Sequence, residues 1–146
     1  LVAGLVAITP AAGFVTPAAA LLIGGVAGLA CYWGATGLKR LLRTDDSLDV
    51  FGVHGVGGII GTLLAGLFAS KGLGIFSGKG LADGVSIASQ LGVQALGVIA
   101  TLAYTAVITF ITLKITALLT KGLRVSAEEE NEGLDLVDHD ERGYVL

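Results

Sequence analysis

Asp49-Val-Phe-Gly-Val-His54-Gly-Val-Gly-Gly58-Ile-Ile-Gly61 places one imidazole in a segment that is otherwise apolar and rich in glycine. No Asp, Glu, Lys or Arg occurs from Val50 to Ser70. That is about 21 residues, enough for a helix to cross the roughly 30 Å hydrocarbon core of a bilayer. Lipid does not solvate an ionisable side chain, so such a residue faces a bundle interior or a water-filled cavity. His54 is the first candidate functional residue. Two stripes of small residues follow it at every fourth position: Gly57, Gly61, Ala65, Ala69 and Gly58, Thr62, Gly66, Ser70. Such stripes let neighbouring helices approach closely on a broad face.

The rest of the composition agrees with a membrane solvent. Of 146 residues only 14% are charged, against about 25% in soluble domains, and the mean hydropathy is +0.83. The reading is an all-α, polytopic membrane protein. The 23 glycines suit tightly packed membrane helices. A net charge of −3 with the acids gathered in the C-terminal tail excludes a nucleic-acid surface. Cys31 is the only cysteine, so no intrachain disulfide forms. No Cys/His cluster suggests a metal, and no cofactor is expected. The chain starts without Met inside an apolar run, which is expected of the C-terminal part of a longer protein.

In chain order, 1–16 is the end of a helix plus a connector broken by Pro10, Gly13 and Pro17. Thr16-Pro17 fits an N-cap followed by Pro at the first helical position. Three spans are expected at 18–38, 50–70 and 85–119, the last longer than a bilayer is thick. In the first, Gly24 and Gly28 form a GxxxG packing pair, and Tyr32 and Trp33 suit the interface. Thr101, Thr105, Thr109, Thr112 and Thr116 share a face of the last span with Gln94, for polar contacts between helices or a polar pore wall. The short charged loop carries Lys39, Arg40 and Arg43, and the start of the tail carries Lys121 and Arg124. Only Lys71 and Lys79 lie on the other side, so the loop and the tail 121–146 are expected in the cytoplasm. Ser126-Ala-Glu-Glu129 is a capping box opening a short helix that ends at Gly133.

A lone intramembrane histidine has three explanations: it packs and hydrogen-bonds a neighbouring helix, it ligates haem or a metal, or it lines a path for a polar solute or proton. The first two describe a membrane anchor or scaffold subunit. The third draws on its neighbours. Val50 and Phe51, four and three residues earlier, project near its face. Gly58, Gly61 and Ala65 continue that face with almost no side chain. A narrow, mostly apolar passage with one imidazole disfavours a bare alkali cation, because it supplies too few ligands to replace the hydration shell. A small neutral molecule that hydrogen-bonds one ring nitrogen would pass. Asp49, at the cytoplasmic end, is expected to cap the helix, with influence on cations at the pore mouth as the alternative.

The block from Asp49 to Gly61 resembles the tenth transmembrane helix of the bacterial ammonium transporters, the Amt branch of the Amt/Mep/Rh family. Thr9-Pro-Ala-Ala-Gly13, Leu38-Lys-Arg-Leu-Leu42 and the tail segments Gly122-Leu-Arg-Val125, Glu128-Glu-Glu130 and Glu132-Gly-Leu-Asp135 resemble it too. The resemblance implies a transporter rather than an enzyme. It implies eleven helices, a homotrimer in the inner (plasma) membrane and one ammonium/ammonia pore per subunit. This chain would supply the end of helix eight, helices nine to eleven and the tail. His54 would be the second of two pore histidines, the first lying in the half of the family's fold that precedes this segment. By the same resemblance the tail is regulatory and works with a PII-type protein on the cytoplasmic face. Gly122, Leu123, Arg124, Glu129, Gly133, Leu134, Asp135 and His139 match that pattern. An ammonium sensor on the same fold is a further option.

Overall fold

A computed structural model describes residues 1–69, 81–120, 122–141 and 143. Ser70, the glycine-rich loop with Lys71, Phe76 and Lys79, and Lys121 lie outside the described residues. All regular structure among the described residues is helical. By its internal packing the chain forms two compact units, Leu1–Thr101 and Leu102–Leu146.

In the first unit, α1 (Val2–Ile8) runs into a 3-10 turn at Thr9–Ala11, where Pro10 ends the α pattern. α2 (Pro17–Trp33) starts as the residue types dictate. Thr16 is extended, its hydroxyl accepts from the Ala19 N–H at 3.3 Å, and Pro17 takes the first helical position. A π-helical turn at Gly34–Leu38 leads into α3 (Lys39–Leu42), and together these form one membrane-length helix. A second π turn, Phe51–Gly55, precedes α4 (Val56–Phe68), giving the next span. α5 (Ile87–Thr120), the third span, begins where the Ser86 hydroxyl accepts from the Ser89 N–H at 3.1 Å. Its 34 residues correspond to about 51 Å of helix.

The core is built from small side chains. Ala7, Ala11, Ile23, Ala27 and Ala65 are buried, with Ile8, Val15, Leu64 and Phe68 against them. α1 lies against both α2 and α4. A Cβ on Gly61 would collide with the Ala7 carbonyl and lie 2.7 Å from the Ala7 Cα. Gly57, Gly61 and Ala65 are buried on this face. The stripe of α2 that packs inward is Ala19, Ile23, Ala27 and Cys31, one residue before the expected Gly24–Gly28 pair. Gly24 touches α1 only lightly: a Cβ on Gly4 would sit 3.8 Å from its Cα. A Cβ on Gly28 would meet nothing within 4 Å. The reason is steric, since Ile23 fills the space that α1 leaves with its alanines.

In the second unit, α6 (Ala127–Glu132) has the capping box expected of it, with the Ser126 hydroxyl and the Glu129 carboxylate satisfying each other's backbone N–H. Gly133 (φ +102°) ends it, and a further short helix, α7 (Leu134–His139), follows.

Candidate functional site

His54 sits in the π turn Phe51–Gly55, not in a regular α turn. An i→i+5 turn holds one extra residue, is found mostly as single turns, and is frequent at functional sites. The imidazole faces an open groove of about 580 Å³, lined by Leu5, Val6, Thr9, Pro10, His54, Gly58 and Thr62. One wall is therefore α1 with its 3-10 turn, and the other is the π turn with α4. The lining is mainly apolar. Its polar groups are the imidazole and two hydroxyls, and the Thr9 hydroxyl donates to the Leu5 carbonyl at 2.8 Å. Among the described residues the imidazole meets no hydrogen-bond partner. No group of three or more metal-ligating side chains occurs among the described residues.

Three sequence expectations change here. Val50 and Phe51 do not line this groove. The extra residue of the π turn shifts them around the helix, both are exposed, and the Phe51 ring lies beside Gly55, 2.8 Å from where a Cβ there would be. Of the small residues after His54, Gly58 shares the groove while Gly61 and Ala65 are buried in the packing against α1. Asp49 is not the side-chain cap. Its Oδ1 accepts from Lys39 Nζ at 2.8 Å, and its own backbone is left-handed (φ +54°). Asp46 caps instead, accepting from the Val50 N–H at 2.9 Å and the Phe51 N–H at 2.8 Å. Those two bonds, the Phe51 one foremost, hold the Asp46 carboxyl below its usual range. Asp46 was legible as a cap only by its position four residues before Val50.

Spacing alone does not reveal the seam on the other side of the π turn. There Cys31 donates its thiol to the Val53 carbonyl at 3.5 Å, and Gly34 meets Gly52 backbone to backbone. In the last span Gln94 packs beside Gly66 of α4, its Cγ 2.8 Å from where a Cβ on Gly66 would be. The threonines from Thr101 to Thr116 are exposed.

In the tail, Arg124 grips Glu130 with two bonds, Nε to Oε2 at 3.0 Å and Nη2 to Oε1 at 2.6 Å. Gly122 and Arg124 share a hollow with Thr116, Thr120, Leu123 and Val125. Glu129 belongs to the capping box, Gly133 separates the two short helices, and Asp135 and His139 lie on the second.

Three helices long and apolar enough to cross a membrane, with a groove between α1 and α4 that carries one imidazole, define a multi-pass helical membrane protein. The sequence profile of the Ammonium Transporter Family matches residues 1–144, and the chain belongs to that family. It is 45% identical over 143 residues to the Bacillus subtilis ammonium transporter, covering 98% of this chain and 35% of that protein. It is 45% identical over 146 residues to the Aquifex aeolicus ammonium transporter, covering 100% and 33%. Among solved structures it resembles a Sensor Amt Protein, with a TM-score of 0.81 and 38% identity over 94% of this chain and 32% of that one. Saccharomyces cerevisiae Mep2 gives a TM-score of 0.74 and 44% identity over 87% and 29%. The chain spans about a third of the length of the curated relatives it matches.

Proposed function

We propose that this chain is part of an ammonium/ammonia transport protein and that His54 is one of its pore residues. The observation that supports this reading is the imidazole, without a hydrogen-bond partner among the described residues, facing a mainly apolar groove with Thr9 and Thr62. A ring nitrogen there exchanges hydrogen bonds with a small nitrogen solute, while the apolar walls give a bare alkali cation nothing in place of its water. A second histidine, supplied by the part of the fold that precedes this segment, completes the pair. Asp49, tied to Lys39, stands near the cytoplasmic end of the π turn that carries His54. The protein works as a homotrimer in the inner membrane with the tail in the cytoplasm. Gly122, Arg124, Glu129, Gly133, Asp135 and His139 belong to a regulatory tail that meets a PII-type protein.

Methylammonium uptake by the full-length protein tests the reading. His54→Ala and His54→Asp are expected to change its rate or its selectivity over potassium by about tenfold or more, the scale of one lost polar contact in an apolar site. Unchanged rate and selectivity in both variants would overturn it.

A further inference from the structure

The π turn that carries His54 has two sides, and the groove uses only one. The other side is a seam against the end of α2. Gly34 and Gly52 are both buried. A Cβ on Gly34 would stand 2.8 Å from the Gly52 carbonyl oxygen, and a Cβ on Gly52 would stand 2.6 Å from the Ala35 nitrogen and 2.8 Å from the Gly34 carbonyl carbon. Each is closer than a side-chain carbon approaches a backbone, so only glycine fits on either strand of the crossing. One turn earlier, Cys31 is 2% exposed. Its Sγ donates to the Val53 carbonyl at 3.5 Å and would lie 3.1 Å from a Cβ on Gly57. The positions before and after His54, namely 52, 53 and 57, are thus all held against α2 or the π turn that follows it.

We infer that this seam positions the imidazole, with Cys31, Gly34 and Gly52 as positioning residues for His54. The inference rests on the reading of His54 as a pore residue. A π turn is disfavoured relative to a regular α turn and occurs mostly as an isolated turn, so something outside it must hold it. Both helices carry such a turn, Gly34–Leu38 and Phe51–Gly55, and the two turns meet at the glycine crossing. Forcing the crossing apart lets the second turn relax to α geometry. One residue of helix rotation is about 100°, enough to carry the ring out of the groove it shares with Thr9 and Thr62.

Close packing without any effect on His54 gives a different signature. A merely destabilised protein assembles in smaller amounts, and each assembled molecule keeps its selectivity. A displaced ring changes the ratio of methylammonium to potassium transport per molecule. The experiment measures that ratio in vesicles containing the full-length protein, for Gly52→Ala, Cys31→Ala and Cys31→Ser. His54→Ala and Gly28→Ala serve as controls. His54→Ala and Gly52→Ala are expected to alter the ratio by about tenfold, and Cys31→Ala by about threefold. Cys31→Ser, which keeps a donor, is expected within about twofold of the parent, and Gly28→Ala, whose methyl meets nothing within 4 Å, at the parent value. If Gly52→Ala does not assemble, the Cys31 pair decides. A parental ratio in Cys31→Ala beside an altered one in His54→Ala overturns the positioning role and leaves the pore reading standing. A parental ratio in His54→Ala overturns both.

Discussion

Lys39 Nζ lies 2.8 Å from Asp49 Oδ1, tying the end of one membrane helix to the residue that opens the next. The pair closes the charged loop into a short clasp between two π-containing helices. Both side chains are partly exposed, 31% for Lys39 and 40% for Asp49, so water and salt screen the attraction. Lys39→Gln is therefore expected to cost under about 1 kcal/mol. Its effect should shrink as ionic strength rises past the point where the Debye length falls to about 8 Å. Thermal unfolding of the full-length protein in detergent at low and high salt measures both. A loss that salt does not touch would point to packing of the lysine stem instead of charge.

Asp46 carries more of the helix start than Asp49 does. Its carboxylate takes two N–H groups that the turn leaves without helical partners, Val50 and Phe51. The Phe51 bond, then the Val50 bond, lowers its pKa in the folded protein. A carboxyl with a lowered folded value stabilises the fold above the unfolded value, about 3.9, and loses that contribution as pH falls through the folded value. Asp46→Ala should therefore lower the melting temperature at neutral pH more than Asp49→Ala does. The gap between Asp46→Ala and the parent should narrow on acidification below about pH 4. A gap independent of pH would mean the cap is not acting through its charge.

The readable parts of this chain were those written in local chemistry. The partners in the Thr16-Pro17 start, and those in the Ser126–Glu129 capping box, lie within a few residues along the chain, and both motifs form as their sequence demands. The spans follow from long uncharged runs and end within a few residues of where charge or glycine resumes. The π turns were not readable. They depend on Gly34 meeting Gly52 across two helices, and nothing in either segment alone says which glycine will touch which. The same holds for the stripes of α4. Spacing separates Gly57–Gly61–Ala65 from Gly58–Thr62, but only the position of α1 decides that the first packs and the second lines the groove. Asp49 was the cap expected by position, but the Val50 and Phe51 N–H groups go to Asp46, and Asp49 goes to Lys39.

The tail helix α6 depends on two carboxylates with lowered pKa values. Glu129 is lowered by the Ser126 N–H first and its hydroxyl second, and Glu130 by its bond to Arg124. Both therefore stabilise the helix above the usual glutamate value, about 4.3, and release it as pH falls through their folded values. Amide protection over residues 127–132, corrected for intrinsic exchange, should be high at neutral pH and fall in acid. Ser126→Ala should lower it at neutral pH, because it removes the acceptor for the Glu129 N–H. Arg124→Gln should do so by freeing Glu130. Equal protection in the parent and both variants would show that the segment is ordered by something other than these bonds.

Gly58 and Gly61 stand three residues apart on one helix and predict opposite outcomes for the same added methyl. At Gly61 the methyl collides with the Ala7 backbone of α1, which has no flexible end to move aside. Overpacking of this kind costs about 1–3 kcal/mol, so Gly61→Ala should lower the melting temperature or the yield of assembled protein. At Gly58 the methyl meets nothing within 4 Å, and an alanine is the better helix former by roughly 1 kcal/mol. Gly58→Ala should leave stability equal or higher, yet the methyl projects into the groove beside His54 and Thr62. Methylammonium uptake by Gly58→Ala should therefore fall about tenfold, the scale of one lost or blocked contact in the path, with the amount of folded protein unchanged. Stability and uptake measured together on the two variants separate a packing stripe from a pore wall. Parental uptake in a well-folded Gly58→Ala would place the route for solute away from this groove.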